Sequence, residues 1–196
     1  MKFYSKGAMF GLDSRIALAI FGALSVISGA ALYSAIQDAK ITSYYTDLIE
    51  VGKAWEAYLL DTGKDLPLDN QHRDLSYLVE NKDSDSNWKG PYLPYTVSSS
   101  KYLLHPGLQK LIRLPSTPNH EWGFGHATNV NWFATRCDNS AVPCYLSIQV
   151  YGIEESLFNA LDAKIDNSDG AFKGKIRMYK NPDVIINIIY SPYKTN

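Results

Sequence analysis

Residues 16–36 read IALAIFGALSVISGAALYSAI and contain no charged side chain. As a helix rising 1.5 Å per residue, this run covers about 31 Å, the thickness of a bilayer's hydrocarbon core. A helix buried in a soluble core is seldom apolar on every face over such a length, so the run reads as a membrane span. Lys2 and Lys6 precede it. The bias of basic residues toward the cytoplasm then leaves the N-terminus inside and sends the rest of the chain across. The rival reading is a secretory signal peptide, with Ser28-Gly-Ala-Ala31 as its cleavage site. Two features oppose it. The apolar run is longer than a signal core, and Asp13 and Arg15 interrupt the passage from the basic start to the apolar stretch.

Beyond Ile36 the pattern turns amphipathic without a breaker. Ile41, Tyr45, Leu48, Gly52, Trp55 and Leu59 recur at alternating spacings of four and three, with Tyr44, Val51 and Tyr58 beside them. Gln37, Asp38, Lys40, Asp47, Lys53 and Glu56 fall largely outside this stripe. Asp61-Thr62-Gly63 supplies a stop, with Gly63 suited to a left-handed cap. One helix from about Leu12 to Leu60, roughly 70 Å long, is therefore expected. Its first half is apolar all round and its second half has one face to bury. Small residues recur in the first half (Ala17, Ala19, Gly22, Ala23, Ser25, Ser28, Gly29) and would let helices pack closely in lipid.

Working outward toward the C-terminus, the chain reads as strands and loops from Thr96 on. Residues 129–135, 145–151, 175–179 and 184–190 alternate or are rich in β-formers. Between them Leu157, Phe158, Leu161 and Ile165 mark a helix over 154–165. The fold class expected is α+β: the long helix, an antiparallel sheet and at least one further helix. The whole chain is 45% hydrophobic and 20% charged with net charge −1, which suits a folded protein and offers no electrostatic case for nucleic acid. The two cysteines, Cys137 and Cys144, close the loop CDNSAVPC. On the exported side of a membrane a disulfide is expected there, worth about 2–3 kcal/mol. Free thiols or a metal pair are the alternatives, and a metal would need further Cys or His ligands.

Asp166-Asn-Ser-Asp-Gly170, with Asp162 upstream, offers oxygens for calcium. A complete calcium loop needs a Glu several positions later, where Phe172-Lys-Gly-Lys-Ile stands instead. A helix cap and hairpin turn is the preferred reading, with calcium on Asp166 and Asp169 as the alternative. His120 and His126 flank Glu-Trp-Gly-Phe-Gly, which suggests an ordered surface loop more than a metal face. No Gly-x-Ser-x-Gly, Walker loop or His-Glu-x-x-His occurs, and Glu154-Glu155 starts a helix, where acids suit the dipole. No catalytic constellation is legible, and an enzyme is not expected.

The residues Lys6-Gly-Ala-Met-Phe-Gly-Leu-Asp13 resemble a prepilin leader junction. The run from Trp55 to Pro67, then Leu75-Ser-Tyr-Leu-Val79 and Trp88-Lys-Gly-Pro-Tyr-Leu93, is similar to the type IV pilin-like family. Within that family the run resembles the major pseudopilins of type II secretion, over about residues 6–95. The resemblance implies a pilin-like fold with a leader over 1–8, a transmembrane half-helix over 9–36 and a periplasmic α+β head over 37–196. It implies cleavage by prepilin peptidase between Ala8 and Met9, or alternatively after Gly7. Counted from Met9, Asp13 stands fifth, where the family has an acid, usually Glu. That acid is held to pair with the new amine of a neighbouring subunit, because a carboxylate at bilayer depth requires a partner. Arg15 offers Asp13 a second partner within the chain, or reaches the headgroups itself. The partners implied are other pilins or pseudopilins, the peptidase, an inner-membrane assembly platform and lipid. The function implied is a structural subunit of a type II secretion pseudopilus in a bacterial inner membrane. The alternatives are a minor type IV pilin, or a filament-tip module binding a ligand through Trp122, Phe124 and Trp132. In this reading Gly63 caps the long helix, Pro67 forbids its continuation, Gly90-Pro91 turns the chain, and Trp88 and Tyr92 cover the sheet.

Overall fold

The computed structural model describes residues 11, 13–69, 72–99, 102–118, 137, 143–180 and 183–193. The chain divides into two compact units, Met1–Thr42 and Ser43–Asn196. Helix α1, Asp13–Thr62, runs through both over 50 residues. In the first unit every side chain of α1 from Asp13 to Ile36 is exposed. This helix is long and apolar enough to cross a membrane. No proline interrupts it, and the leader and cleavage positions Gly7, Ala8 and Met9 lie outside the described residues.

In the second unit the amphipathic stripe does what its spacing requires. Leu48, Val51, Gly52, Ala54, Trp55, Tyr58 and Thr62 are buried. The helix stops where the Asp-Thr-Gly run predicts. Gly63 has φ +68°, and its N–H donates to the Leu59 carbonyl at 2.9 Å. A two-residue hairpin follows, β1 (Leu68–Asp69) with β2 (His72–Arg73), and then a single 3-10 turn, Leu75–Leu78. Asp74 caps that turn by accepting the Ser76 N–H at 3.0 Å.

Trp88 and Tyr92, expected to cover the sheet, pack against the 3-10 turn and the end of α1. The Trp88 indole donates to the Tyr77 carbonyl at 2.9 Å and packs edge-on against Tyr92. Tyr92 packs against Tyr58 of α1, and its hydroxyl donates to Asp61 at 3.0 Å. Both rings therefore close the C-terminal end of α1. Gly90 makes this possible, because a Cβ there would lie 2.5 Å from the Trp88 ring.

The sheet comprises β3 (Thr96–Ser99), β4 (Tyr102–Leu104), β5 (Leu111–Arg113), β6 (Ser116–Pro118), β7 (Cys144–Tyr151), β8 (Ile176–Lys180) and β9 (Val184–Pro192). Its order is β3-β4-β5-β7-β9-β8, every pairing is antiparallel, and β6 also pairs with β7. Strands β5 and β6 follow one another along the same edge of β7, opposite Val150–Gln149 and Leu146–Cys144. Pro115 lies between them. It has no N–H for a ladder, while its carbonyl still accepts from Ser147 at 2.9 Å. Helix α2, Glu155–Ile165, buries Phe158, Leu161 and Asp162 and packs along β8.

Alternation sorts the two faces of the sheet. Ile112, Ile148, Val150, Ile186, Ile188 and Ile176 occupy one face with exposures of 0–1%. Gly52 of α1 meets this layer so closely that a Cβ would lie 2.5 Å from the ring of Tyr190. On the other face the register sets Arg113, Gln149, Asn187 and Arg177 side by side across β5, β7, β9 and β8. All four are buried. Burial on both faces explains why residues 184–190 read as a nearly continuous apolar run.

Candidate functional site

Two features stand out as candidates for function: the acid at the start of α1 and the polar centre of the second unit. Asp13 is the first residue of α1 and is exposed. An acid there faces the partial positive charge of the helix N-terminus. Arg15 lies two positions on. Residues so spaced point to different sides of a helix, which disfavours a pairing within the chain. The Asp13 carboxylate is thus presented outward.

The polar centre is one that sequence reasoning missed. Asp65, just past the end of α1, accepts the Trp55 indole N–H at 2.6 Å, the Tyr193 hydroxyl at 2.7 Å and the Leu66 N–H at 2.8 Å. Arg73 of β2 meets the same carboxylate twice, through Nη2 at 3.1 Å and Nε at 3.4 Å. Its Nη1 donates to Ser116 Oγ at 2.7 Å and to the Leu114 carbonyl at 3.3 Å. The guanidinium also stacks 4.5 Å from the centre of the Tyr193 ring. One ion pair thus ties together α1, the β1–β2 hairpin, the β5–β6 edge and the last described residue. Burial alone would raise the Asp65 pKa, but the charge and hydrogen bonds of Arg73, with Trp55 and Tyr193, hold it below the usual value. Trp55 was legible only as part of the apolar stripe. A sequence window that places Arg73 in a polar stretch carries no sign that it is buried.

The aspartates singled out for calcium do converge. Carboxylate oxygens of Asp162, Asp166 and Asp169 all lie within 4.8 Å of one another. Asp166 ends α2, and its Oδ2 accepts the N–H groups of Lys175 at 2.7 Å and Ile176 at 2.6 Å. Asp162 Oδ2 accepts the Gly170 N–H at 3.1 Å. These bonds organise the turn that leads into β8. Desolvation, and after it the like charges at Asp166 and Asp162, raise the Asp169 pKa. Asp162, Asp166 and Asp169 are the residues that could hold a cation.

Cys137 and Cys144 form the disulfide, with Cα atoms 5.7 Å apart. The bridge anchors residue 137 to the first position of β7. His120, His126, Trp122, Phe124, Trp132 and the strand expected over 129–135 lie outside the described residues.

Among the described residues, fold and site give an α+β protein with one helix long and apolar enough to cross a membrane and a disulfide-bearing antiparallel sheet unit. No family model, curated protein or solved structure matches the chain.

Proposed function

We propose that this chain is a structural subunit of a type IV pilin-like filament, and within that class a subunit of a type II secretion pseudopilus. The observation that carries the reading is α1 itself. One unbroken helix of 50 residues starts with an acid, continues apolar on every face, and ends by laying a single buried stripe on an antiparallel sheet. A helix of that kind can be held in a bilayer and later packed against its copies. Either environment satisfies its apolar surface and its internally bonded backbone. Asp13 is the one acid close behind Met9, and a neighbouring subunit's new amine is a partner that would make its presence at bilayer depth affordable. In this reading the chain sits in a bacterial inner membrane, N-terminus inward, with its sheet unit in the periplasm. It meets other pilins, prepilin peptidase and the assembly platform, and it supports secretion without catalysing a reaction. The disulfide and the size of the sheet unit favour the second reading, a minor type IV pilin.

N-terminal sequencing of the mature protein, from cells with and without prepilin peptidase, tests the proposal. The expected result is a peptidase-dependent start at Met9, and Asp13→Ala abolishing incorporation into the filament while leaving cleavage intact. Cleavage after Ala31 by an ordinary signal peptidase would overturn it.

A further inference from the structure

The β4–β5 hairpin turns through residues 105–110 around a buried histidine. The His105 N–H donates to the Lys110 carbonyl at 2.9 Å, and the Gln109 N–H returns to the His105 carbonyl at 2.8 Å. The imidazole Nδ1 accepts two further N–H groups, from Gly107 and Leu108, both at 3.0 Å. A nitrogen receiving two donors carries no proton, so the ring is neutral and its proton sits on Nε2. The ring is fully buried, and among the described residues Nε2 has no hydrogen-bond partner. Across from it lies Asp47 Oδ2 of α1, at 3.9 Å. That is too far for a hydrogen bond, and it would place a carboxylate beside the ring if the ring took up a second proton.

Among the described residues, the charged and aromatic groups around the ring come from α1, the segment before β3 and the hairpin itself. From α1, Asp47 and the edge of Tyr44 face the ring, the latter at 6.1 Å between centroids. From the segment before β3, Tyr95 faces it at 5.9 Å, and its hydroxyl donates to the Asp47 carbonyl. Glu50 adds negative charge on the Tyr95 side. Lys110 closes the same hairpin, but its ammonium lies by Gly152. The same turn forms one wall of a groove of about 300 Å³, lined by Gly107, Leu108, Tyr44, Ile153 and Leu157 among others.

We propose that the 105–110 turn is an acid-released latch, closed by neutral His105 and opened when a second proton reaches the ring. Protonation falls on Nδ1, which then becomes a donor facing two donors and must let go of Gly107 and Leu108. The imidazolium instead pairs with Asp47. The groove wall loosens, so the groove has one shape above the transition and another below it. Burial holds the His105 pKa below its ordinary value, and the Asp47 charge opposes this only in part. A depressed histidine stabilises the folded turn above about pH 6.5, and that stability is lost as the pH falls through the folded value.

Amide hydrogen exchange on the full-length chain in detergent micelles, expressed as protection factors, tests this. Between pH 7.5 and 5.0 the amides of Gly107 and Leu108 should lose protection by at least about tenfold, while those of Ile148 and Ile188 keep theirs. In His105→Asn the side-chain oxygen can accept the same two N–H groups without titrating, and the loss should vanish. In Asp47→Asn the imidazolium has no counter-charge, and the loss should move to lower pH. The latch is overturned by unchanged protection down to pH 5.0, by equal loss throughout β7 and β9, by the same loss in His105→Asn, or by no shift in Asp47→Asn.

Discussion

Replacing Arg73 with Met keeps much of the side-chain volume and removes the guanidinium from the centre of the second unit. The Arg73 side chain is 4% exposed and that of Asp65 is 31% exposed. Removing one partner of a buried ion pair costs about 3–5 kcal/mol, because the other charge is left without its counterpart. Partial exposure of Asp65, and the donors it keeps from Trp55, Tyr193 and Leu66, argue for the lower half of that range. The lost bonds to Ser116 and Leu114, each worth about 1 kcal/mol, argue for the upper half. At roughly 2–4 °C per kcal/mol, the melting temperature should fall by about 6–20 °C. The assay is a thermal melt of the full-length protein in detergent, followed through the near-ultraviolet signal of its tryptophans. The double variant Asp65→Asn/Arg73→Met removes the stranded charge as well, and it should recover at least about 1 kcal/mol over Arg73→Met alone. The pH dependence has a fixed sign. The Asp65 pKa is depressed in the folded protein, so the stability it contributes is present above about pH 3.8 and is lost as the pH falls through the folded value. The gap between wild type and Arg73→Met should therefore narrow in acid. A cost under about 1 kcal/mol at neutral pH would refute the reasoning, since it would place the pair among exposed ion pairs.

Two further outcomes follow from close contacts. Gly52→Leu forces a side chain into the Tyr190 ring and should destabilise the sheet unit by about 1–3 kcal/mol in the same melt, although leucine is the better helix former. Asp166→Ala leaves the N–H groups of Lys175 and Ile176 without their acceptor. It should cost about 1–3 kcal/mol and raise hydrogen exchange at those two amides ahead of the rest of β8.

Much of the architecture was legible because it is written in local periodicity. The apolar run, the stripe from Leu48 to Tyr58, helix α2 and strands β7, β8 and β9 each repeat a short-range pattern over five or more residues, and the stop at Gly63 is a local three-residue signal. Strands β4, β5 and β6 have three residues each, too few for a period to show. The aspartate turn was legible in composition, but its hydrogen bonds to Lys175 and Ile176 were not. Trp88 and Tyr92 were legible as packing residues, but their partners Tyr77, Tyr58 and Asp61 were not, since a ring can satisfy itself against helix or sheet equally well.

By itself, then, the sequence determined a membrane-length helix continued by an amphipathic one, an α+β class and a cysteine pair near enough to bridge. Tertiary structure alone decided that Arg73 sits inside against Asp65, that His105 is buried beside Asp47, and that Arg113, Gln149, Asn187 and Arg177 share one buried row. The reason is that a polar side chain's place depends on partners far along the chain. Arg73 meets Ser116 and Asp65 meets Tyr193 only once the sheet has closed. Apolar periodicity records which face turns inward, whereas nothing in a charged residue's neighbours in sequence records which distant group will be there to satisfy it.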